Sequence, residues 1–128
     1  MKPKNSAVKG KYRPVNIYKT PEDSYIYRSH WERRFMLYCD RSDSIIYWSN
    51  EQYHVPYVSP KDGKWHNYYP DFYIKYVDKK SDTREKIVEI KPAYQKSWDV
   101  NRAKWKYAQE WCADQGYEFQ VLTEKELF

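Results

Sequence analysis

Apolar residues recur along the chain with two different periods, and the change of period divides the chain into helices and strands. Over residues 27–40 they recur every three or four positions, which predicts an amphipathic helix with Ser24 as a candidate N-cap. A second stripe of this kind covers residues 100–115 and stops at Gly116. The sequence therefore predicts two helices that each pack one face on a sheet.

Short apolar or alternating runs predict the strands of that sheet. They cover residues 45–48, 52–58, 68–77 and 85–91, and a last one follows the second helix at 117–122. Asp62-Gly63 is typical of a hairpin turn, so we expect an antiparallel meander that ends with Asp71 and its neighbours. The short polar break at 78–83 predicts a further antiparallel turn, which places the strands bearing Asp71 and Glu89 side by side.

The elements follow the order αβββαβ, and a strand that comes after a long helical crossover is expected to run parallel to its neighbour. A length of 128 residues suits one domain with one core. We assign it to residues 25–128, as an α/β (α+β) fold with a central mixed sheet flanked by helices. Residues 1–24 are rich in lysine, arginine and proline, which predicts a basic, extended N-terminal arm. Such an arm either grips DNA phosphates or is only a solvated leader.

The amino-acid composition indicates what forms the core and which kind of partner the protein binds. The mean hydropathy of −1.11 is low for a globule, but aromatic residues make up 20% of the chain and supply apolar surface for a core. The formal charge of +5 and the pI near 9.0 favour a polyanion as partner. A charge of this size can also serve only to keep a protein in solution. Nucleic acid is favoured on balance.

Several classes of protein are excluded by composition. Two cysteines and three scattered histidines lack the spacing of a zinc site, so Cys39 and Cys112 are interpreted as reduced core thiols. Three glycines are too few for the glycine-rich loop of a P-loop nucleotide hydrolase. No apolar run is long enough to span a membrane or to act as a signal peptide. We therefore expect a protein of a reducing cytoplasm with no membrane partner.

Charged residues interrupt two of the predicted apolar strands. Glu89 and Lys91 are two positions apart, so they share one face of a strand, whereas Val88 and Ile90 pack on the other face. Asp71 opens the neighbouring strand. Two carboxylates and one ammonium group would then meet in a small volume, which suits a hard divalent cation and a phosphate. The alternative is an ordinary ion pair between Glu89 and Lys91, with Asp71 merely capping its strand.

The first helix adds two candidate residues, Glu32 and Arg28. Glu32 lies about 100° from Trp31 around the helix axis, at the margin of the buried stripe, so it can reach a cleft beside the sheet. A surface pair with a neighbouring arginine is the other interpretation of Glu32. Arg28 lies four positions before Glu32 and either binds a phosphate or pairs with Glu32. Position along the helix does not choose between these interpretations.

The spacing of these residues resembles that of the PD-(D/E)XK nuclease superfamily: Pro70-Asp71, seventeen residues, then Glu89-x-Lys91. Flanking segments extend the resemblance to the head completion nucleases of large tailed phages. They are residues 27–32, 46–51, 56–63, 69–72, 88–92, 103–105 and 123–127. The resemblance implies a restriction-endonuclease-like fold. The resemblance also implies that other members have a longer linker after the Glu-x-Lys strand. In this chain only residues 93–98 separate Pro92 from the second helix.

The resemblance further implies a Mg²⁺-dependent phosphodiesterase in which Mn²⁺ can substitute. Asp71, Glu89 and the backbone carbonyl of Ile90 would hold the metal, and Glu32 would complete the shell directly or through water. Lys91 would orient the attacking water and neutralise charge that grows on the phosphorane. The candidate catalytic residues are therefore Glu32, Asp71, Glu89 and Lys91.

DNA contacts are assigned to basic side chains outside the site strands. The candidates are Arg28, the arm residues Lys9, Lys11 and Arg13, and the second-helix residues Arg102, Lys104 and Lys106. The alternative for the last three residues is a solvated helix face that makes no contact with DNA, which is common for lysine-rich helices.

The resemblance predicts a DNA endonuclease or end-trimming nuclease of phage head completion and DNA packaging. Its partners would be DNA and phage head, portal or neck proteins, in the cytoplasm of the infected host or associated with the virion. Two alternatives stay open. One is a catalytically silent head completion or joining protein that binds the packaged DNA end, and the other is a branched-DNA resolvase with paired sites in a dimer.

Overall fold

Residues 8–127 are described by a computed structural model. The strands in this range are β1 (Gly10–Tyr12), β2 (Tyr25–Tyr27), β3 (Ile45–Asn50), β4 (Val55–Val58), β5 (Trp65–Tyr68), β6 (Phe72–Val77), β7 (Thr83–Ile90) and β8 (Glu118–Leu122). The α-helices are α1 (His30–Arg41), α2 (Asp99–Gln115) and α3 (Glu124–Leu127), and short 3₁₀ turns cover Ile17–Lys19 and Ala93–Gln95. None of the helices between residues 8 and 127 is long and apolar enough to cross a membrane.

The central sheet has the strand order β3-β6-β7-β8. Its first three strands are antiparallel, and β8 joins β7 in parallel after the α2 crossover, as predicted. Helix α1 packs Phe35 on one face of the sheet, and α2 packs Cys112 on the other face. The series α1-β3-β6-β7-α2-β8 confirms the predicted αβββαβ order and the predicted fold class.

The two faces of β7 are occupied by different kinds of residue. Val88 and Ile90 belong to the core beneath α1, whereas Ile87 packs with Cys112 on the α2 side. Side chains alternate along a strand, so Glu89 has the same parity as Ile87 and lies on the side of the sheet that faces α2. Glu89 is therefore buried because it lies on a sheet face that α2 covers.

The prediction of one antiparallel meander that ends with Asp71 and its neighbours is wrong in one respect. Strands β4 and β5 form the expected antiparallel hairpin, with Gly63 in the left-handed region at φ +67°, but this hairpin is a separate two-stranded sheet. The strand expected at 68–77 is divided at residues 69–71, where Pro70 lacks an amide to continue a ladder. Asp71 therefore stands just before β6, at the end of the central sheet.

The predicted start of the first helix is also wrong. Helix α1 begins at His30, and Ser29 is its N-cap in place of Ser24. The Glu32 amide donates a hydrogen bond to the Ser29 hydroxyl (3.1 Å), which is one half of a capping box. Residues 25–27, at the predicted start of this helix, form β2 instead. The second helix ends as predicted, with Gly116 in the left-handed region at φ +79°.

Both cysteines are buried and free, as interpreted from the sequence. Burial raises the pKa of the Cys39 thiol, and it raises the pKa of Cys112 to about 12. Thiols of this kind stay protonated and unreactive.

The described part of the predicted arm is not an extended tail, so the boundary drawn between residues 24 and 25 is wrong for residues 8–24. Strand β1 pairs antiparallel with β2. The fully buried carboxylate of Asp40 then accepts hydrogen bonds from the Tyr12 hydroxyl (2.5 Å) and from the amides of Val15 (2.8 Å) and Asn16 (2.9 Å). The first seven positions of the predicted arm lie outside the described residues.

Asp40→Asn is expected to lower the free energy of unfolding by about 2 kcal/mol, because it removes the charge that one buried and two part-buried donors share. Burial raises the pKa of Asp40, but the bonds from Tyr12, Val15 and Asn16 outweigh it and hold the pKa below its usual range. A lowered pKa means that this stability is present at neutral pH and is lost as the pH falls below about 4. Urea denaturation at several pH values checks both points.

Asp43→Asn is the matched control for this prediction, because Asp43 is exposed near the same end of α1. It should change stability by no more than about 0.5 kcal/mol. An equal loss in both variants would contradict the role given to Asp40.

Candidate active site

Asp71 and Glu89 face each other at one end of the central sheet. Phe72 pairs with Val88, so the next position on each strand brings Asp71 opposite Glu89. The Asp71 amide donates to the Glu89 carboxylate (3.3 Å), and the Ile90 amide donates to the Asp71 carboxylate (2.7 Å). Each carboxylate is thus held by the backbone of the other residue's strand.

The backbone of Asp71 is fixed from β3. Its carbonyl accepts hydrogen bonds from the Glu51 amide (2.9 Å) and from the Asn50 side chain (2.8 Å). Glu51 has a positive φ of 52°, which a residue with a side chain adopts only at a cost. Such strain is common where a protein holds functional groups in place, and here it positions Asp71.

A half-buried carboxylate at Asp71 and a buried one at Glu89, held by each other's backbone, cannot both be charged without compensation. Glu89 is only 3% exposed. Burial and the neighbouring Glu89 raise the pKa of Asp71 well above its usual range, with opposition from the Ile90 amide and the Lys91 charge. The site therefore favours either a proton or a cation beside Asp71.

A buried tyrosine lies next to this pair. The Tyr68 hydroxyl has no hydrogen bond of good geometry within residues 8–127, although it lies close enough to Glu89 and Asp71 for their charges to act on it. Burial, with the two carboxylates, raises the pKa of Tyr68. The Tyr68 hydroxyl is therefore neutral, and no hydrogen bond of good geometry satisfies it among the described residues.

Helix α1 delivers Glu32 to the same end of the sheet. The Glu32 carboxylate accepts a hydrogen bond from the Arg28 amide (3.1 Å), just before the Ser29 cap. Burial raises the pKa of Glu32, and the charges of Asp71 and Glu51 raise it further. Glu32 is thus within the field of the site, as the sequence predicted from its position on the helix margin.

A cleft of about 250 Å³ connects these residues. It is lined by Arg28, Ser29, Glu32, Asp71, Ile90, Lys91, Pro92, Tyr94 and Gln95. The structure therefore brings Glu32, Asp71 and Lys91 together around one opening, with Glu89 behind Asp71. A larger cleft of about 310 Å³ lies beneath α1, but its lining is mainly apolar and contains a single carboxylate, that of Glu126.

The donor set at this opening fits a hard cation. Carboxylates and a backbone carbonyl at Ile90 are oxygen ligands of the kind that Mg²⁺ and Mn²⁺ prefer, and Mg²⁺ usually keeps several waters. Within residues 8–127 no three His, Cys, Asp or Glu side chains are close enough to hold a metal by themselves. In this arrangement Glu32 is therefore not close enough to Asp71 and Glu89 to complete a set of three side-chain ligands.

The Arg28 side chain does not pair with Glu32, which was one of the two partners considered from the sequence. Its guanidinium pairs with the Glu51 carboxylate (2.7 Å), and only its backbone contacts Glu32. The arginine side chain is 62% exposed, and an ion pair this open contributes about 1 kcal/mol or less. Arg28 can therefore exchange Glu51 for a phosphate at little cost.

The predicted DNA contacts in and next to β1 are all exposed: Lys9, Lys11 and Arg13. Gly10 pairs with Tyr27, so the chain direction brings Lys9 towards Arg28 at the mouth of the cleft.

The three basic residues proposed on the second helix are not equivalent. Arg102 and Lys106 are exposed, but Lys104 is half-buried, so the expectation that all three line the exposed face is wrong. The Lys104 ammonium lies over the rings of Tyr57 (5.9 Å) and Tyr68 (5.6 Å). Burial and then the Lys91 charge lower the pKa of Lys104, and Glu89 and Asp71 oppose this. Lys104 is thus a second cation beside the carboxylates.

Lys104→Gln is expected to lower kcat/KM for DNA cleavage roughly tenfold or more, because a hydrogen bond from the Lys104 ammonium to a DNA phosphate would contribute about 1.5–3 kcal/mol. Lys106→Gln is the matched control, since Lys106 is an exposed lysine on the same helix. Its effect should be confined to a weaker salt dependence of binding. Initial rates at several salt concentrations check this prediction, and equal losses in the two variants would contradict it.

Comparison with known proteins agrees with this geometry. The family model described as TnsA-like endonuclease N terminal matches residues 42–124, from the start of β3 to the start of α3. The chain belongs to the TnsA-like endonuclease family. That membership confirms the restriction-endonuclease-like PD-(D/E)XK superfamily predicted from Asp71, Glu89 and Lys91, all of which fall within the match.

This TnsA-like chain is also similar to the head completion nuclease of Enterobacteria phage T4. The two are 31% identical over an alignment of 145 positions that covers 94% of each chain. The narrower resemblance drawn from the flanking segments is thereby confirmed. The alignment extends beyond the family match, which does not include α1 with Glu32.

Sequence reasoning did not assign four residues that the structure places at or beside the cleft. Tyr94 and Gln95 follow the site strand after only a few positions, and their proximity was a usable signal. Tyr68 lies three positions before Asp71 and gave the same signal, whereas Glu51, twenty positions before Asp71, gave a weaker one. Glu51 reaches the site only because β3 pairs with β6, and Tyr68 only because the β4–β5 hairpin packs on α2.

Proposed function

We propose that this protein is a Mg²⁺-dependent DNA endonuclease or end-trimming nuclease that hydrolyses phosphodiester bonds during phage head completion and DNA packaging. The observation that carries the proposal is the opposed pair of the half-buried Asp71 and the buried Glu89 beside a cleft that Lys91 lines. A merely structural ion pair of Glu89 and Lys91 would not require a second carboxylate opposite Glu89. Similarity to a protein named head completion nuclease supports the biological setting.

Asp71, Glu89 and the Ile90 carbonyl would hold the cation, and Mn²⁺ should substitute for Mg²⁺. When bound, such an ion neutralises phosphate charge and makes water more acidic. Glu32 faces the same cleft and would order water there, where burial and neighbouring charges raise the pKa of its carboxyl group.

The cations around the cleft would act on the phosphate. Lys91 lines the cleft and supplies positive charge where the phosphorane develops its own negative charge. Arg28 would leave Glu51 and grip a phosphate of the same strand. Lys104 adds a second positive charge from the α2 side.

The proposed setting is the cytoplasm of an infected host, or the virion itself. DNA and phage head, portal or neck proteins would be the partners there. The basic composition, with a formal charge of +5, supports a DNA partner.

The test is a cleavage assay with linear DNA, plasmid and four-way junctions in Mg²⁺, Mn²⁺ or EDTA. Wild type should cut with either metal and not in EDTA. Glu89→Ala is the control for contaminating nucleases, and Tyr18→Ala, a change of an exposed residue remote from the cleft, controls for preparation. Equal, metal-independent results for wild type and Glu89→Ala would contradict the proposed nuclease activity. They would favour a catalytically silent head completion protein. Selective cutting of junctions by a dimer would indicate a resolvase.

Neutralising Lys9, Lys11 and Arg13 together with glutamine should weaken DNA binding and flatten its salt dependence. Each phosphate contact contributes roughly 0.9 to the slope of log affinity against log salt. Removing residues 1–20 is a poorer test, because it also removes Tyr12 from Asp40. Binding titrations at several salt concentrations provide the slope, and an unchanged slope would contradict a phosphate-gripping role.

A further inference from the structure

Two exposed aromatic side chains stand at the rim of the cleft, on the short linker between β7 and α2. Tyr94 lines the cleft and is 69% exposed, and Trp98 is 48% exposed. Their ring centroids are 5.8 Å apart with planes at 71°, an edge-to-face contact. The two rings form one continuous aromatic surface beside Asp71 and Lys91.

The linker that carries these rings is fixed by hydrogen bonds at both ends. At its start the Ala93 amide donates to the Glu124 carboxylate (3.1 Å). At its end the buried Asn101 side chain donates to the Gln95 carbonyl (2.9 Å). The Gln95 side chain also donates to the Tyr94 hydroxyl (3.0 Å). The rings are held in place before any ligand binds, which lowers the entropic cost of binding.

Positive charge borders the aromatic surface on both sides. Lys91 and Arg28 lie with Tyr94 around the cleft. Beyond Trp98, a neighbouring depression contains Lys61 from the β4–β5 turn, together with the carboxylate of Asp99. Cations that track a phosphate backbone, interleaved with aromatic faces, are the arrangement that binds single-stranded nucleic acid by base stacking.

We propose that Tyr94 and Trp98 form a base-stacking platform, so that the substrate class is DNA with unpaired nucleotides next to the scissile phosphate. Overhangs, gaps and frayed ends belong to this class. In continuous duplex the bases stack on one another and reach the rings only after unpairing, which costs a few kcal/mol. The cleavage preference rests on the proposed nuclease function, whereas the binding preference does not.

The binding test uses wild-type protein in EDTA, so that no cleavage is needed. Fluorescein-labelled single strand, blunt duplex and duplex with an unpaired overhang are titrated and followed by anisotropy. Wild type should bind the overhang and the single strand more tightly than the blunt duplex. Tyr94→Ala and Trp98→Ala should each weaken binding to these two by roughly 5- to 100-fold, the effect of losing one stacked base.

Two variants isolate stacking from other effects. Tyr94→Phe keeps the ring and loses only the hydroxyl bond, so it should restore most of the binding that Tyr94→Ala loses. Tyr18→Ala removes a tyrosine that is 94% exposed beyond the opposite end of α1, and it should also leave binding unchanged. Circular dichroism and melting curves confirm that all variants fold.

The platform is overturned if Tyr94→Ala and Trp98→Ala bind overhang and single strand as tightly as Tyr18→Ala does. It is equally overturned if wild type binds blunt duplex as well as the overhang. If wild type prefers the overhang through these rings but cuts nothing in Mg²⁺ or Mn²⁺, the proposed nuclease fails and the platform stands. Failure of one proposal is therefore distinguishable from failure of the other.

Discussion

Lys91→Ala is expected to lower the rate of DNA cleavage by at least about a hundredfold, while DNA affinity changes only a few-fold. Lys91 lines the cleft beside Asp71, where negative charge grows during attack on a phosphate. Removing one group aimed at developing charge typically costs a factor of about 100–1,000 in rate. Other cations, including Arg28 and Lys104, still hold the DNA, so binding persists.

Single-turnover kinetics and binding titrations separate the two quantities for Lys91→Ala. Lys106→Ala removes an exposed lysine of α2 and should leave the single-turnover rate within a few-fold of wild type. A comparable fall in the two variants would mean that net charge matters and that Lys91 has no special position. A loss of binding equal to the loss of rate would reduce Lys91 to a DNA contact.

Asp71→Asn is expected to abolish cleavage and, without metal, to make the protein more stable by roughly 1–3 kcal/mol. Asparagine keeps an oxygen for the Ile90 amide, which donates to Asp71 at 2.7 Å, but it carries no charge against Glu89. Mg²⁺ should raise the melting temperature of wild type, because it binds the folded state, and should not raise that of the variant. Stability and activity would thus change in opposite directions.

The pH dependence of stability follows from the same pair. Burial and Glu89 raise the pKa of Asp71 in the folded protein. A raised pKa means that its contribution to stability is present at acid pH and is lost as the pH rises through the folded pKa. Metal-free wild type should therefore lose stability with rising pH relative to Asp71→Asn.

Thermal melts of both proteins from acid to neutral pH, with and without Mg²⁺, test this prediction. Asp114→Asn, at an exposed position of α2, is the control and should follow wild type. Parallel curves for wild type and Asp71→Asn would show that the two carboxylates do not repel each other in the folded protein. The proposed cation site would then lose its main physical argument.

Much of the fold could be predicted because its signals are local. The stripes of α2, its stop at Gly116 and the alternation that separates Val88 and Ile90 from Glu89 each depend on residues within a few positions of one another. The first helix illustrates the limit. Its apolar stripe is real, but Ser29 caps it where Ser24 was expected, because residues 25–27 pair with β1.

Sequence by itself determined the αβββαβ order, the adjacency of the strands bearing Asp71 and Glu89, and the family. Turn length, strand period and a motif carried by two neighbouring strands are enough for these, since each is a short-range property of the chain.

Tertiary structure alone decided which other side chains surround that pair. The arm is anchored by a bond between Tyr12 and Asp40, which are 28 positions apart, and Arg28 meets Glu51 across 23 positions. Lys104 reaches the carboxylates only because α2 covers that face of the sheet. No local period encodes such contacts, because they depend on how separate elements pack once the backbone has closed into a sheet.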